Sequence, residues 1–395
     1  MQHKILFLYT YNENKSPYTV KDHVDAIVTP FGRNIDCCNL HLDLSNNDWT
    51  LRLRNKIPRL PYINFLTKIF FNIPKDLKIY NCIIFHNSIS FDPGYLEGIL
   101  EYCSYKMQNK QYVKILFKQD ETFRLNYFIR IINKYAIDHI FSVAPTRKST
   151  RLLYNKVDNA KISNVLTGYV SDMLKTISID CNSKQRPIDI CYRGMKLPYW
   201  FGKLGYEKYH IGEVFKEVCW KYNLEEDISS DMKDRIYGKK WFEFLLNSKA
   251  VLAVESGSSI IDFDGDIIKK VKRLLRYNKS ISFNEIYNKI LYKYEDKINY
   301  RAISPRLFEA GATRTVLIMM EGEYQNIFKK DIHYIPIKQD YSNISEVMRK
   351  FKNIEFRKFL TDNVYKDIIV NDQYHYNYFS ECIYGKVVNL LRYMS

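Results

Sequence analysis

The sequence has 395 residues, a formal net charge of +16 and 46% hydrophobic residues. This length predicts two domains, and the apolar content is sufficient for sizeable cores. The charge favours an anionic partner, such as a nucleotide, an acidic glycan, a phospholipid surface or a nucleic acid, without distinguishing among them. No apolar run reaches the roughly 18 residues that a membrane span needs, so no spanning helix is predicted.

The cysteines indicate a reducing compartment. None of the eight forms a C-x-x-C pair, and several lie in apolar runs, for example Cys82 and Cys191. They are interpreted as reduced core residues of a cytosolic protein. The opening MQHKILFLYT predicts a strand rather than a signal peptide, because it lacks a long apolar segment and a small-residue cleavage site. We therefore predict a cytoplasmic protein.

The first half of the chain alternates short apolar runs with amphipathic segments. Continuous apolar strands separated by helices are typical of a parallel sheet covered on both faces. The stretch 171–187 is polar and ends in a proline, and we interpret it as an interdomain linker. The predicted strands are 4–10, 80–88, 112–120, 138–145 and 162–170.

A second alternation follows and predicts a second domain of the same class. Doubly wound domains bind ligands at the carboxyl ends of their strands, so two facing domains would open into one cleft. The predicted domains are 1–180, 181–372 and a final helical segment, 373–395. The predicted elements are strand 188–194, helix 205–224, strand 249–257, a helix start at 304–312, strand 315–322, a strand and helix within 332–351, and helix 375–394.

Two basic segments, 51–79 and 268–301, mix cations with apolar residues. Each could lie as an amphipathic helix on an anionic membrane surface or an acidic acceptor. The alternative is a solvated helix with an ordinary inward stripe, which we favour because most amphipathic helices cover a core.

Several motifs, taken in order, resemble bacterial GT-B glycosyltransferases, and the nearest group is the CgeB-like, glycosyltransferase group 1-like proteins. The resemblance implies two Rossmann-like domains facing a cleft, and a C-terminal helix that crosses back onto the first. It also implies metal-independent sugar transfer from a nucleotide-sugar donor to a glycan or lipid-linked acceptor in surface-polysaccharide synthesis, with no cofactor. The motifs are ILFKQDE (115–121), DHIFSVAP (138–145), LTGYV (166–170), and those within 191–215, 250–267 and 304–324.

In the resembled enzymes, a glutamate on a cleft-facing helix holds the ribose hydroxyls, and Glu309 matches that position. Related retaining enzymes often carry another glutamate eight residues earlier, where this chain has Arg301. A carboxylate can accept two hydroxyl hydrogen bonds, although Glu309 could instead pair with Arg306 on the surface. Replacing Glu309 with alanine is expected to weaken donor binding and leave folding intact.

A phosphate site is predicted at the start of the same helix. Ser304 is a natural N-cap and Pro305 a natural first residue, so the free N–H groups that follow can bind an anion. Arg306 adds a cation that is unfavourable beside the positive helix end unless an anion binds there. A surface arginine paired elsewhere is the alternative. Gly311 would allow a close backbone approach.

Two turns of the second domain complete the predicted donor site. Arg193 and Gly194 follow its first strand and are a second candidate for the diphosphate. Lys203 and Lys208 are weaker candidates. The turn ESGS could line the nucleotide or sugar, although turns of this composition are common. Its residues are Glu255, Ser256, Gly257 and Ser258.

In the first domain, His23, His86 and Asp120 border the expected cleft and are the candidate catalytic residues. An acceptor hydroxyl can need a base with a pKa near working pH, which suits histidine. The alternative for either histidine is a structural role. The D-x-D at 262–264 matches a metal motif of another transferase fold, but we interpret it as a solvated loop or as residues that support the site without touching the ligand, and no metal is predicted.

Two other function classes remain open on the residues alone. A basic nucleic-acid-binding protein could use the cations and the tyrosines, although the basic residues are scattered and no recognised motif is present. An inactive GT-B-like scaffold that binds glycan is compatible with Arg301. We predict a transferase with no nucleic-acid partner, cytoplasmic or peripheral at the inner membrane face.

Overall fold

The protein is described here by a computed structural model covering residues 3–12, 16, 18–40, 72–108, 110–180 and 185–393. Most of the basic segment 51–79 therefore lies outside the described residues. Among those described, no helix combines the length and the apolar character that crossing a bilayer requires.

The first sheet has six parallel strands in the order β2-β1-β3-β4-β5-β6. Its central strands β1, β3 and β5 are almost wholly buried because helices cover both faces, as their unbroken apolar runs predict. The strands are β1 Ile5–Tyr9, β2 Ile35–Asn39, β3 Cys82–Phe85, β4 Val113–Lys118, β5 His139–Ser142 and β6 Lys161–Asn164. The helices are α1 Tyr18–Val28, α2 Pro93–Met107, α3 Leu125–Lys134, α4 Arg147–Leu153 and α5 Asp172–Asp180.

The second sheet has five parallel strands in the order β13-β12-β9-β7-β8. Its strands are β7 Ile188–Arg193, β8 Glu226–Ser229, β9 Ser248–Ala253, β12 Val316–Met320 and β13 Tyr334–Ile337. A short antiparallel pair, β10 Ser256–Gly257 and β11 Arg301–Ala302, stands apart. The helices are α6 Gly202–Tyr222, α7 Lys239–Leu246, α8 Asp266–Tyr277, α9 Phe283–Ile286, α10 Pro305–Ala312, α11 Ile344–Lys352 and α12 Ile354–Val364.

The segment between β10 and β11 forms a small helical lobe with its own core. Helix α8 carries the predicted basic segment, and it buries Ile267 and Val271 in that core while its cations stay exposed. Its apolar stripe therefore packs within the protein, which is the ordinary interpretation favoured from the sequence.

Helix α13, Tyr376–Arg392, packs on the first domain after the chain has built the second. Phe379, Ile383 and Val387 join the same core as Phe7 and Ile27. The two crossings between domains lie side by side, because Val170 N–H donates to the Tyr374 carbonyl and Tyr376 N–H donates to the Val170 carbonyl. The second domain thus enters and leaves the first at one place.

The domains also touch around the start of α10. The Thr167 hydroxyl donates to the Ile303 carbonyl at 2.5 Å. A Cβ on Gly168 would lie 2.9 Å from two ring carbons of Pro305, so this position needs glycine for the approach. The helical lobe reaches the first domain as well, since the Tyr300 hydroxyl donates to the buried Glu121 carboxylate at 2.9 Å.

Candidate functional site

A cavity of about 260 Å³ lies at the carboxyl ends of β7 and β9 in the second domain. Parallel strands present their carboxyl ends at one edge, so loops distant in sequence meet there. Residues of three predicted groups line it: Arg193, Gly194, Ser256, Ser304 and Arg306. Lys208 and Trp241 line it too.

Arg306 is held in this cavity by three linked contacts. The buried Glu309 carboxylate accepts a 2.7 Å hydrogen bond from the Trp241 indole N–H. The Arg306 guanidinium lies 4.8 Å from the Trp241 ring centroid, and it donates to the Arg193 carbonyl at 2.7 Å. Because the guanidinium is exposed and retains further N–H donors, it can bind an anion from a fixed position.

Lys208 supplies a second cation to the same cavity from helix α6. Burial lowers the pKa of Lys208 to about 8, Asp120 of the first domain acts to raise it, and Arg306 acts to lower it. The charges of Asp120 and Arg306 therefore act on the Lys208 ammonium in opposite directions. An anion bound between Lys208 and Arg306 would relieve their repulsion.

The first domain presents a smaller cavity of about 130 Å³ toward α10. His23, His86, Lys118 and Gln119 line it, and Pro305 closes it from the second domain. The Lys118 ammonium donates to the carbonyls of Ser90 and Gln119 at 3.0 and 2.6 Å, so it is held by backbone.

The two histidines form a directly bonded pair, with His23 Nδ1 2.8 Å from His86 Nε2. His86 Nδ1 accepts from the Ser88 backbone N–H at 3.2 Å and lies 2.8 Å from the Ser88 hydroxyl. A backbone N–H only donates, so the His86 proton is on Nε2 and is donated to His23 Nδ1. Neutral His23 then carries its own proton on Nε2.

Burial keeps this pair uncharged. It lowers the pKa of His23 to about 4, and burial together with His23 lowers the pKa of His86 well below its usual value. At neutral pH, the pair therefore offers a neutral N–H donor at His23 Nε2, which has no hydrogen-bond partner among the described residues. The geometry suits a hydrogen-bond donor better than the general base predicted from sequence.

The N-terminus of α10 separates the two cavities. Ser304 and Arg306 line the cavity of the second domain, whereas Pro305 between them lines that of the first. Ser304 has extended backbone angles and makes no side-chain cap bond. Pro305 has no N–H and the Leu307 N–H donates to the Ser304 carbonyl, so the Arg306 backbone N–H is the one at the helix start that can meet an anion. The helix tip thus faces the boundary between the cavities.

Arg193 is positioned differently from the prediction. Its guanidinium donates to the Asp227 carboxylate at 2.7 Å and to the backbone carbonyls of Asp234, Tyr192 and Asp227. With most of its N–H groups engaged by the protein, its side chain fixes the loop after β7 rather than offering a cation to a diphosphate. The Arg193 carbonyl, in contrast, orients Arg306.

Five further candidates line neither cavity. Glu309 is buried and accepts from the Trp241 indole N–H, so we expect its loss to destabilise the fold, which differs from the expectation based on sequence. Gly311 packs away from the cleft, where a Cβ would lie 2.6 Å from Val364 Cγ1. Glu255 accepts from the Tyr324 N–H, Ser258 bonds the Phe201 carbonyl, and Gly257 has a φ of +95° against the Tyr300 carbonyl.

Asp120 is exposed just after β4 and lines neither cavity. Its charge acts to raise the pKa of Lys208, which does line the cavity of the second domain. Asp262 of the D-x-D is buried, and its two carboxylate oxygens accept from the N–H groups of Gly265 and Ile268. It therefore caps helix α8 and is not in a solvated loop. Across the described part of the chain, no three acidic, histidine or cysteine side chains cluster as a metal site would need.

Trp241 was missed from sequence and Lys208 was ranked low. Trp241 lies in an apolar run with Phe242, Phe244 and Leu245, where an aromatic residue is expected to be core, and its partner Glu309 is 68 residues away. Lys208 sits on a long helix, where a cation is most often on the solvent side. The pairing of His23 with His86, 63 residues apart, also had no signal along the chain.

No model of a known protein family matches the sequence, and no curated protein shows significant similarity to it. Solved structures do match. The crystal structure of Anabaena Alr3699/HepE in complex with UDP has a TM-score of 0.52 at 8% identity, over 98% of this chain and 100% of that one. The same protein with UDP-glucose gives 0.50 at 9% identity, over 98% and 99%.

At this identity the likeness is one of fold. It spans both domains, and with the two parallel sheets it confirms the GT-B fold that the sequence predicts. The CgeB-like group stays a prediction.

Proposed function

We propose that the protein is a glycosyltransferase that takes a sugar from a nucleotide-sugar donor and transfers it to a glycan or lipid-linked acceptor. The observation that carries the proposal is the placement of Arg306 and the free tip of α10 between one cavity in each domain. The HepE structures, which share the fold and were solved with UDP and UDP-glucose, support a nucleotide-sugar as the donor.

The donor lies in the cavity of the second domain, with its diphosphate against Arg306, Lys208 and the N-terminus of α10. Departure of the nucleotide leaves negative charge on its phosphate. Cations and helix N–H groups that are already in position stabilise that charge without reorganisation. Ser256 and Gly194 line the same cavity and face the remainder of the donor. No metal ion is needed for this role.

The sugar and the acceptor hydroxyl meet at the cavity of the first domain. His23 donates its Nε2–H to a sugar or acceptor oxygen there, and the His86–Ser88 chain holds His23 in that tautomer. Since neutral imidazole binds oxygen without adding charge, the cation-rich side remains the place where the leaving group is stabilised.

Thermal unfolding in the presence of nucleotide-sugars tests the proposal. UDP-, GDP-, dTDP- and CMP-sugars at millimolar concentration are compared, and one class should raise the melting temperature, because a ligand of the native state stabilises it. Arg306→Ala should abolish the shift, whereas Arg273→Ala, which removes an exposed cation on α8, should preserve it.

Transfer is then measured with the donor that binds. A shift with turnover supports the transferase. A shift without hydrolysis or transfer from any donor would instead indicate a binding scaffold. Stabilisation by oligonucleotides alone, with strong salt dependence, would indicate the nucleic-acid-binding alternative.

A further inference from the structure

A groove of about 990 Å³ lies at the edge of the first sheet, next to the cavity that holds the histidine pair. Its floor is the edge strand β6, and its walls are helices α4 and α13. Each helix turns one face to it, with residues at helical spacing. These are Arg147, Thr150 and Arg151 from α4 with Tyr154 directly after it, and Tyr378, Cys382, Ile383 and Lys386 from α13.

The groove is cationic and holds no opposing charge. Arg147, Arg151 and Lys386 are exposed along it, and no aspartate or glutamate is among its lining residues. None of the three cations forms an ion pair with another described residue. The pKa of the buried His139 is consistent with a positive potential here. Burial is the main cause that lowers this pKa to about 4, and the charges of Lys386 and Lys161 lower it further.

The remaining lining suits a saccharide. Asn155 and Tyr378 bring an amide and a hydroxyl group to the groove, and Tyr378 is 49% exposed, which leaves its ring available to a sugar face. The volume is at the upper end of the roughly 300–1,000 Å³ of ligand sites, enough for several sugar rings. Single-stranded nucleic acid binds on a series of exposed aromatic rings, whereas Tyr154, the other tyrosine here, is buried.

The groove shares a wall with the proposed reaction centre. Phe141 and Val165 line both the groove and the cavity that contains His23. A chain lying in the groove would therefore have one end beside that cavity. We propose that the groove binds an anionic oligosaccharide, the carboxylate- or phosphate-bearing portion of the acceptor, through Arg147, Arg151 and Lys386. The role of the groove as an acceptor site rests on the proposed function. Its preference for an anionic saccharide is argued from the lining residues alone.

Binding of two matched probes tests the proposal. The probes are tetragalacturonate and the neutral galactotetraose that lacks its carboxylates, measured by calorimetry at 50 and 200 mM salt. Tetragalacturonate should bind the wild type at least tenfold more tightly than the neutral probe, and its affinity should fall with salt. Arg147→Gln/Arg151→Gln should lower that affinity about tenfold or more, and Lys386→Gln severalfold.

The control is Arg273→Gln/Arg276→Gln, which removes two exposed cations from α8 outside the groove. Equal affinity for both probes, or an equal loss in the control, would overturn the proposal. So would a groove that binds a tetranucleotide of equal charge more tightly than tetragalacturonate. If the double variant does not fold, Lys386→Gln carries the test alone.

The nucleotide-sugar melting shift, measured on the same samples, separates the two proposals. The groove variants should retain the wild-type shift while losing tetragalacturonate. If the wild type shows no shift with any donor, the transferase proposal fails, and the loss of tetragalacturonate binding still supports an anionic-glycan groove.

Discussion

The two cavities beside the tip of α10 handle charge in opposite ways. In the second domain, Arg306 and Lys208 face the space with few protein acceptors. In the first domain, the histidine pair is bonded to itself and to Ser88, and Lys118 is bonded to backbone. One side thus keeps cations available, while the polar groups on the other side are already hydrogen-bonded within the protein.

This difference matches the two requirements of the proposed transfer reaction. A departing diphosphate needs available cations, whereas an acceptor hydroxyl needs orientation without a strong field. Pro305 and Arg306 are neighbours in sequence yet face opposite cavities, so one helix tip serves both needs.

The largest expected effect is the loss of the available cation. Arg306→Ala should lower kcat/KM by about a hundredfold or more, because it removes a preorganised charge at the leaving group. The free energy of unfolding should change by less than about 0.5 kcal/mol, since the side chain is exposed. Steady-state kinetics and urea denaturation measure the two quantities. Unchanged kinetics would show that the cation is not where charge develops.

Glu309→Ala tests whether that cation is held through Trp241. It should lower the free energy of unfolding by about 1–3 kcal/mol, because the buried indole N–H loses its acceptor. It should also weaken donor binding by loosening the surface on which Arg306 lies. Glu309→Gln retains an acceptor oxygen and should lose less. A destabilised but fully active Glu309→Ala protein would contradict the proposal that Trp241 positions Arg306.

Two glycine substitutions test separately the packing at the start of α10 and the packing near its end. Gly311→Ala should destabilise by about 1–3 kcal/mol through contact with Val364, with activity retained in the folded fraction. Gly168→Ala should instead lower transfer severalfold, because its Cβ would press on Pro305 and move α10 from the first domain. Reversed outcomes in denaturation and rate assays would contradict the assigned positions.

The smallest expected effect is the pH dependence of the first domain. Burial lowers the pKa of His23 to about 4 in the folded protein. Between pH 6.5 and 4, His23 is therefore protonated in the unfolded protein but not in the folded protein. Stability should therefore fall as pH drops through this window, and His23→Gln should reduce the slope. The rate should show no titration near pH 6.5. A rate that follows an ionisation there would restore the general-base role for His23.

The fold was predictable because its signal is local. The apolar runs that predict β1, β3 and β9 are buried where expected, and helices α6 and α13 fall within a few residues of their predicted bounds. Two of the four edge strands, β2 and β8, were missed because they have few apolar residues, whereas the edge strands β6 and β13 were predicted. The predicted linker 171–187 is partly helix α5, and 181–184 lies outside the described residues.

The site was less predictable because its partners are set by packing. Arg193 matches a phosphate-binding pattern, yet its guanidinium is hydrogen-bonded to the Asp227 carboxylate on the neighbouring strand. Glu309 matches a ribose-binding position, yet its carboxylate accepts a hydrogen bond from the Trp241 indole N–H. In both cases the residue type was right for a ligand, and a protein group 34 or 68 residues away supplied the competing bond.

The return of α13 to the first domain has a consequence for how the protein folds during synthesis. Phe379, Ile383 and Val387 complete a core begun by Phe7, and Ser380 bonds the Ala26 carbonyl across 354 residues. The ribosome must therefore release α13 before this core can close, while the intervening domain, whose sheet is built from nearer residues, can form earlier. Until then, the apolar faces of β1 and α1 need protection from aggregation.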